Sequence, residues 1–120
     1  MKPLLASCAL ALFVSTLNAG EADVTAVEIA KSSDGAYRFD VTVSHEDEGW
    51  DHYANKWDVV GPNGEVFGTR TLYHPHVDEQ PFTRSLSGVE IPQGTVTVTI
   101  RAHDLEHGYG GKVMTVEVMQ

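Results

Sequence analysis

Apolar and polar positions alternate with a period of two through most of the chain after residue 23. Val24 to Lys31 carries Val27 and Ile29 on one face, and Ser32-Ser33-Asp34-Gly35 turns the chain. Tyr37, Phe39, Val41 and Val43 then alternate with Arg38, Asp40 and Thr42, the pattern of a strand with one buried and one wet face. Trp57 and Val59 mark a third strand, closed by Gly61-Pro62-Asn63-Gly64, whose Asn-Gly pair suits a tight hairpin. A fourth strand is expected from Glu65 to about Leu72 and a fifth from Phe82 to Val89, followed by the turn Ile91-Pro92-Gln93-Gly94. Val96, Val98, Ile100 and Ala102 alternate with Thr95, Thr97, Thr99 and Arg101 in the clearest strand of all, and Met114, Val116 and Val118 form the last. No stretch sustains helical periodicity. Seven strands separated by turn signals in about a hundred residues predict an all-β domain. The expected form is a seven-stranded immunoglobulin-like (fibronectin III-like) antiparallel sandwich, with a small barrel as the alternative. Without repeats or linkers, residues 20–120 read as one domain.

The first nineteen residues read differently. Lys2 supplies a positive start, Leu4 to Leu17 is apolar and uncharged, and Asn18-Ala19-Gly20 offers small residues for a signal peptidase. The run is short of the roughly 20 apolar residues that a membrane helix wants. Residues 1–19 are therefore expected to be a signal peptide, cut after Ala19. Leu5-Ala6-Ser7-Cys8 has the letters of a lipobox but leaves almost no hydrophobic core before the cysteine. Cleavage after Ala19 removes Cys8, the single cysteine, and with it any disulfide, thiolate ligand or thiol nucleophile. The formal net charge is −9, and the leader carries no acidic residue to take away. So acidic a surface disfavours nucleic acid and anionic lipid, while cations become natural partners. Acidity also serves plain solubility.

Strands running alternately up and down bring three connections to each pole. One pole then holds only tight turns. The other holds His45 to Ala54, Tyr73 to Gln80 and His103 to Gly111, and with them all six histidines: His45, His52, His74, His76, His103 and His107. Trp50, Tyr53, Tyr73 and Tyr109 fall at the same end. Short turns opposite chemically loaded loops is how a sandwich presents a site.

Imidazole nitrogens bind zinc, copper(II) and nickel when three or four converge. His74-Pro75-His76 is the sharpest local pattern, because the proline extends the chain at His74 and residues two apart on an extended chain point the same way. His103 and His107 bracket a loop in which Gly108, Gly110 and Gly111 would let the backbone fold over a bound group. His52 lies in the opposite loop. The expected ligand set is accordingly His74, His76, His103 and His107, with His52 as a fifth, and zinc or copper(II) as the metal. Soft copper(I) ligation has little support from Met114 and Met119, and the acidic spacing matches no EF-hand loop for calcium. His45 continues the inward register of Tyr37 to Val43 and is expected to cap the core; Glu46-Asp47-Glu48 reads as a solvated loop. Catalysis is not expected. A GxSxG elbow is absent, and adjacent Ser44 and His45 on a strand face opposite ways.

The segments GWDHYANKWDVVGPNG (Gly49 to Gly64), HPHVDEQPFTRSL (His74 to Leu86) and RAHDLEHGYGG (Arg101 to Gly111) resemble those of a family of small exported bacterial proteins. The resemblance implies a periplasmic or secreted protein and carries no activity over. Thr95 to Val118 is similar to the C-terminal half of bacterial immunoglobulin-like modules, which bears on fold alone. Two functions follow as expectations: a periplasmic metal carrier or buffer, or a non-catalytic module binding a cell-envelope protein or glycan through the same loops.

Overall fold

The computed structural model describes residues 20–119; the expected signal peptide lies outside them. The chain forms seven strands, β1 (Asp23–Lys31), β2 (Tyr37–Ser44), β3 (Ala54–Val60), β4 (Val66–Thr71), β5 (Phe82–Val89), β6 (Thr97–Asp104) and β7 (Met114–Glu117). Their pairing is antiparallel throughout, in a three-stranded sheet ordered β1-β2-β5 and a four-stranded sheet ordered β4-β3-β6-β7. Stacked face to face, the two sheets make a β-sandwich.

The alternation dictates what the sheets bury. Tyr37, Phe39, Val41 and Val43 of β2 face inward with Val98, Ile100 and Ala102 of β6, and Trp57 lies fully buried between them. Burying a side chain of this size contributes roughly 1.5–3 kcal/mol each. One expected core position moves: Val96 is 66% exposed, because β6 starts one residue later and its inward register begins at Val98. At the start of the chain the deeper positions are Ala22, just before β1, and Val24 within it, rather than Val27 and Ile29, which are half-buried beyond a bulge between Val24 and Ala26.

The loop pole is held by two buried carboxylates. Asp47 stands inside the stretch expected to be solvated, yet its side chain is fully enclosed. Its Oδ1 accepts from the Ala54 amide (3.0 Å) and from His45 Nδ1 (2.5 Å), and its Oδ2 accepts from the His76 amide (2.6 Å). One carboxylate thus joins the end of β2, the start of β3 and the β4–β5 loop. On the outer face of the larger sheet, Asp58 accepts from Thr69 Oγ1 (2.7 Å), Arg101 Nε (3.1 Å) and the Tyr109 hydroxyl (2.7 Å). Tyr109 reaches this position because the β6–β7 loop folds back, laying its ring 4.0 Å from the Arg101 guanidinium.

Glycines let the same loop close on the start of the chain. A Cβ at Gly111 would overlap the carbonyl of Ala22, and the Val24 amide donates to the Lys112 carbonyl at 2.9 Å while the Lys112 amide donates to Asp23 Oδ1 at 2.7 Å. These glycines therefore admit the N-terminal segment, where the sequence suggested that they would wrap a bound group.

Replacing Asp47 by Asn sets an amide donor against backbone donors and is expected to cost about 3 kcal/mol in urea unfolding, the penalty of leaving buried groups unpaired around a lost charge. Asp58 yields a pH signature. Burial raises its pKa, but the hydrogen bonds from Thr69, Tyr109 and Arg101 overcome that and hold it below the ordinary 3.8. A lowered folded-state pKa means stability that is present above the unfolded value and lost as pH falls through the folded one. Asp58→Asn is thus expected to cost about 2 kcal/mol at pH 7, with the difference from the parent closing as the pH drops below that range.

Candidate metal centre

β2 and β6 belong to different sheets, and each carries its inward register one step past its apolar residues at the loop pole. The next inward residue is His45 after Val43, and Asp104 after Ala102; both are buried. His52, also buried, comes down from the β2–β3 loop, and His107 from the β6–β7 loop. Gly20 closes the cluster from the fourth side.

The distances place the four inner groups around one point. His45 Nε2 lies 2.9 Å from the Gly20 carbonyl oxygen and 3.2 Å from His52 Nε2. His52 Nε2 lies 3.2 Å from the same carbonyl and 3.2 Å from Asp104 Oδ1. His45, His52 and Asp104 hold their ligand atoms within 4.8 Å of one another, as do His52, Glu106 and His107.

Counting donors and acceptors shows what this point lacks. A carboxylate accepts only, so the ring nitrogen facing one must carry the hydrogen. Asp47 takes the Nδ1 hydrogen of His45, and Glu48 takes that of His52 at 2.9 Å. Both imidazoles are thereby turned with Nε2, the lone-pair nitrogen of the neutral ring, toward the centre. There they meet a carbonyl oxygen and a carboxylate oxygen, which are acceptors as well. Asp104 Oδ1 is already supplied by the amides of His107 (2.7 Å) and Glu106 (2.9 Å), while its buried Oδ2 has no partner. With both rings neutral, acceptors converge there without donors; a proton on Nε2, such as one shared by His52 with Asp104 at 3.2 Å, or a metal cation completes the centre.

Electrostatics agree with that count. The hydrogen bond that His52 donates to Glu48 raises the His52 pKa above 6.5, against the opposing effect of burial and with help from Glu106 and Asp104. Burial pushes Asp104 the other way from its outcome: the amides of His107 and Glu106 and the nearby His45 keep it a carboxylate below the ordinary range. Outside the cluster, a pocket of about 210 Å³ lined by Gly20, Glu46, Glu48, His52, Glu106 and His107 opens to solvent, so a cation would approach past three glutamates.

Of the five histidines expected as ligands, the structure brings His52 and His107 together and leaves His74, His76 and His103 elsewhere. His76 is buried with its ring stacked on Phe82 (4.0 Å, 13° between planes) and Nε2 facing Arg84 at 3.0 Å. Burial, with Arg84 and His74 nearby, lowers its pKa. His74 is exposed, 4.7 Å from His76 between ring centres. His103 projects from the opposite face of β6 to Asp104, where Nδ1 bonds Asn55 Oδ1 at 2.7 Å and the ring packs against Tyr109. His45, Asp104 and the orienting Asp47 are the residues that the sequence reading did not assign to the site. Strand alternation was the available signal, since it puts 45 and 104 inside and 103 outside.

Against known proteins, no family model matches the chain, and no solved structure matches it. A protein of Halomicrobium mukohataei named "Putative lipoprotein" is 43% identical over 103 residues, which is 86% of this chain. The chain spans about half the length of that relative, 50% of it.

Proposed function

We propose that this is an exported protein that binds a transition metal, zinc or copper(II), as a carrier or buffer rather than as an enzyme, through His45, His52 and Asp104 with His107 at the rim. The observation that carries this reading is the convergence of two Nε2 atoms, a carbonyl oxygen and a buried carboxylate on one point, all of them acceptors once the rings are neutral. Two donors each about 2.0–2.1 Å from one ion, at angles between square and tetrahedral, lie about 2.9–3.3 Å apart. The spacings of 2.9 and 3.2 Å around His45 and His52 fall in that range. Asp47 and Glu48 then play the part of the carboxylates that back metal-bound histidines, fixing ring orientation and raising basicity. Export is supported by the leader-like first nineteen residues and by the name of the relative, which also fits attachment to the cell envelope. The order β1-β2-β5 against β4-β3-β6-β7 supports an immunoglobulin-like, fibronectin III-like sandwich.

A second reading rests on exposed aromatics. Trp50 is 66% and Tyr73 75% exposed at this same pole, where side chains of this kind anchor protein or glycan partners. Loss of a cell-envelope partner from pull-downs by Trp50→Ala with Tyr73→Ala, but not by His52→Gln, would favour that reading over metal carriage.

Zinc or copper(II) at a hundred times its dissociation constant is expected to stabilise the protein by about 2.7 kcal/mol, or roughly 10–20 °C in melting temperature. His52→Gln and Asp104→Asn should abolish most of the shift, whereas His74→Ala and His103→Ala should keep it. The pH dependence has a definite sign. With its pKa raised, His52 stabilises the metal-free protein fully below 6.5, and that contribution is lost as pH rises through the folded value. Metal competes with those protons, so its stabilisation should grow over the same interval. A melting temperature indifferent to both metals at pH 8 would remove the proposal.

A further inference from the structure

Gly20, whose carbonyl faces the proposed metal point, is also the residue that signal cleavage after Ala19 would make the first of the mature chain. We infer that the α-amino group released at Gly20 is itself a ligand, so that export completes the site. The inference rests on the metal-binding reading and extends it to how the site is assembled and which cation it favours.

Three observations carry it. The Gly20 carbonyl oxygen already stands between the two oriented imidazoles, 2.9 Å from His45 Nε2 and 3.2 Å from His52 Nε2. The segment behind it is pinned: Ala22 is fully buried, Val24 nearly so, and both lie against the Gly110-Gly111-Lys112 stretch through the bonds of Asp23 and Val24 to Lys112. A Cβ at position 20 would come within 2.8 Å of His107 Cε1, so a side chain there would have to displace that ring. The Gly20 carbonyl is thus presented to the centre, two bonds from its own nitrogen.

Hydrolysis of the Ala19–Gly20 bond adds water across the peptide, leaving a carboxylate on Ala19 of the released leader and a free amine on Gly20. A peptide nitrogen has its lone pair tied up in resonance. The amine does not, and with the carbonyl two bonds further on it closes a five-membered chelate ring around an ion held by His45 and His52. Two imidazoles, an amine and oxygen donors form the nitrogen and oxygen set that tetragonal copper(II) prefers, and copper(II) also leads the divalent series in affinity. Before cleavage the same residue offers the carbonyl alone. In this scheme the precursor is a weak binder and the exported product a strong one.

The test compares two forms of the protein. One is the full chain exported and processed in a bacterial host, with its N-terminus read by mass spectrometry and sequencing. The other is a leaderless form in which a short serine extension keeps the Gly20 nitrogen in a peptide bond. Copper(II) alone is titrated into each against a chromophoric chelator, and electron paramagnetic resonance counts the bound nitrogens. The processed protein should begin at Gly20, bind copper(II) at least about a hundredfold more tightly, as expected when a further donor joins intramolecularly, and show one more coordinated nitrogen. Equal affinities and identical spectra that still depend on His52 would overturn the role of the terminus and leave the histidine site standing. A mature protein starting anywhere else, including at a lipidated Cys8, would overturn it as well. Absence of copper binding in both forms would remove the metal reading together with this one.

Discussion

The pleat of two strands, one from each sheet, governs this molecule. Because successive side chains on a strand point to opposite faces, the inward rows of β2 and β6 must continue inward for as long as the strands remain regular. Each row ends on a polar residue, and the sandwich closes over both. His45 and Asp104 are buried at the top of the core because Val43 and Ala102 are buried beneath them. A buried imidazole and a buried carboxylate need partners, since an unsatisfied polar group in such a place costs roughly 1–3 kcal/mol. The loops of the pole can be understood as supplying them. Asp47 turns inward for His45, while the amides of Glu106 and His107 turn back onto Asp104. Between them the Nε2 atoms of His45 and His52 lie 3.2 Å apart, and the buried Oδ2 of Asp104 keeps no partner.

Much of the fold was legible in the sequence. The fifth strand has the expected bounds, Phe82 to Val89, and the strand through Tyr37 to Val43 differs only by the addition of Ser44. Val96 misled because alternation continues through it before any strand begins. The site was legible in part. Gathering all the histidines at one pole followed from strand count alone. Choosing among them did not, because a histidine pair such as His74 and His76 is a local pattern, while convergence is a property of the fold. His103 illustrates the difference: one residue from Asp104 in sequence, it stands on the other side of the sheet with Asn55 and Tyr109. Asp47 was hidden for another reason. Between Glu46 and Glu48 it looks like one member of a solvated run, and it takes the amides of Ala54 and His76, contributed from elsewhere in the chain, together with His45 Nδ1 to make its burial tolerable.

The β6–β7 loop shows how few residues such an arrangement requires. It begins at Asp104, whose carboxylate accepts the next amides and so shapes the turn that presents His107 to the centre. Two residues later Tyr109 crosses to the outer face of the sheet and bonds Asp58, which pins the loop from the other side. Gly111 then passes so close to the Ala22 backbone that no side chain fits, and Gly110 lies against the end of the Glu21 side chain. A single loop therefore fixes His107, Asp104 and the approach of the N-terminal segment together. Movement of any one would be felt by the other two, because the anchors share a backbone of eight residues between Asp104 and Gly111.

Charge at the centre is unbalanced on the acidic side. Asp104 stays ionised although it is buried, and Asp47 is enclosed beside it, while Glu46, Glu48 and Glu106 line the mouth of the pocket. Few positive groups face this acidity: Arg84 turns to Glu79 and His76, and Arg101 to Asp58. The raised pKa of His52 shows that this imidazole supplies part of the compensating charge as a proton. Protons held in this way are exchangeable, unlike the charge of an arginine. A site that substituted arginine for His52 would satisfy the same carboxylates permanently and have no vacancy to offer. Histidine keeps the balance open, and the geometry of the two Nε2 atoms decides what can fill it.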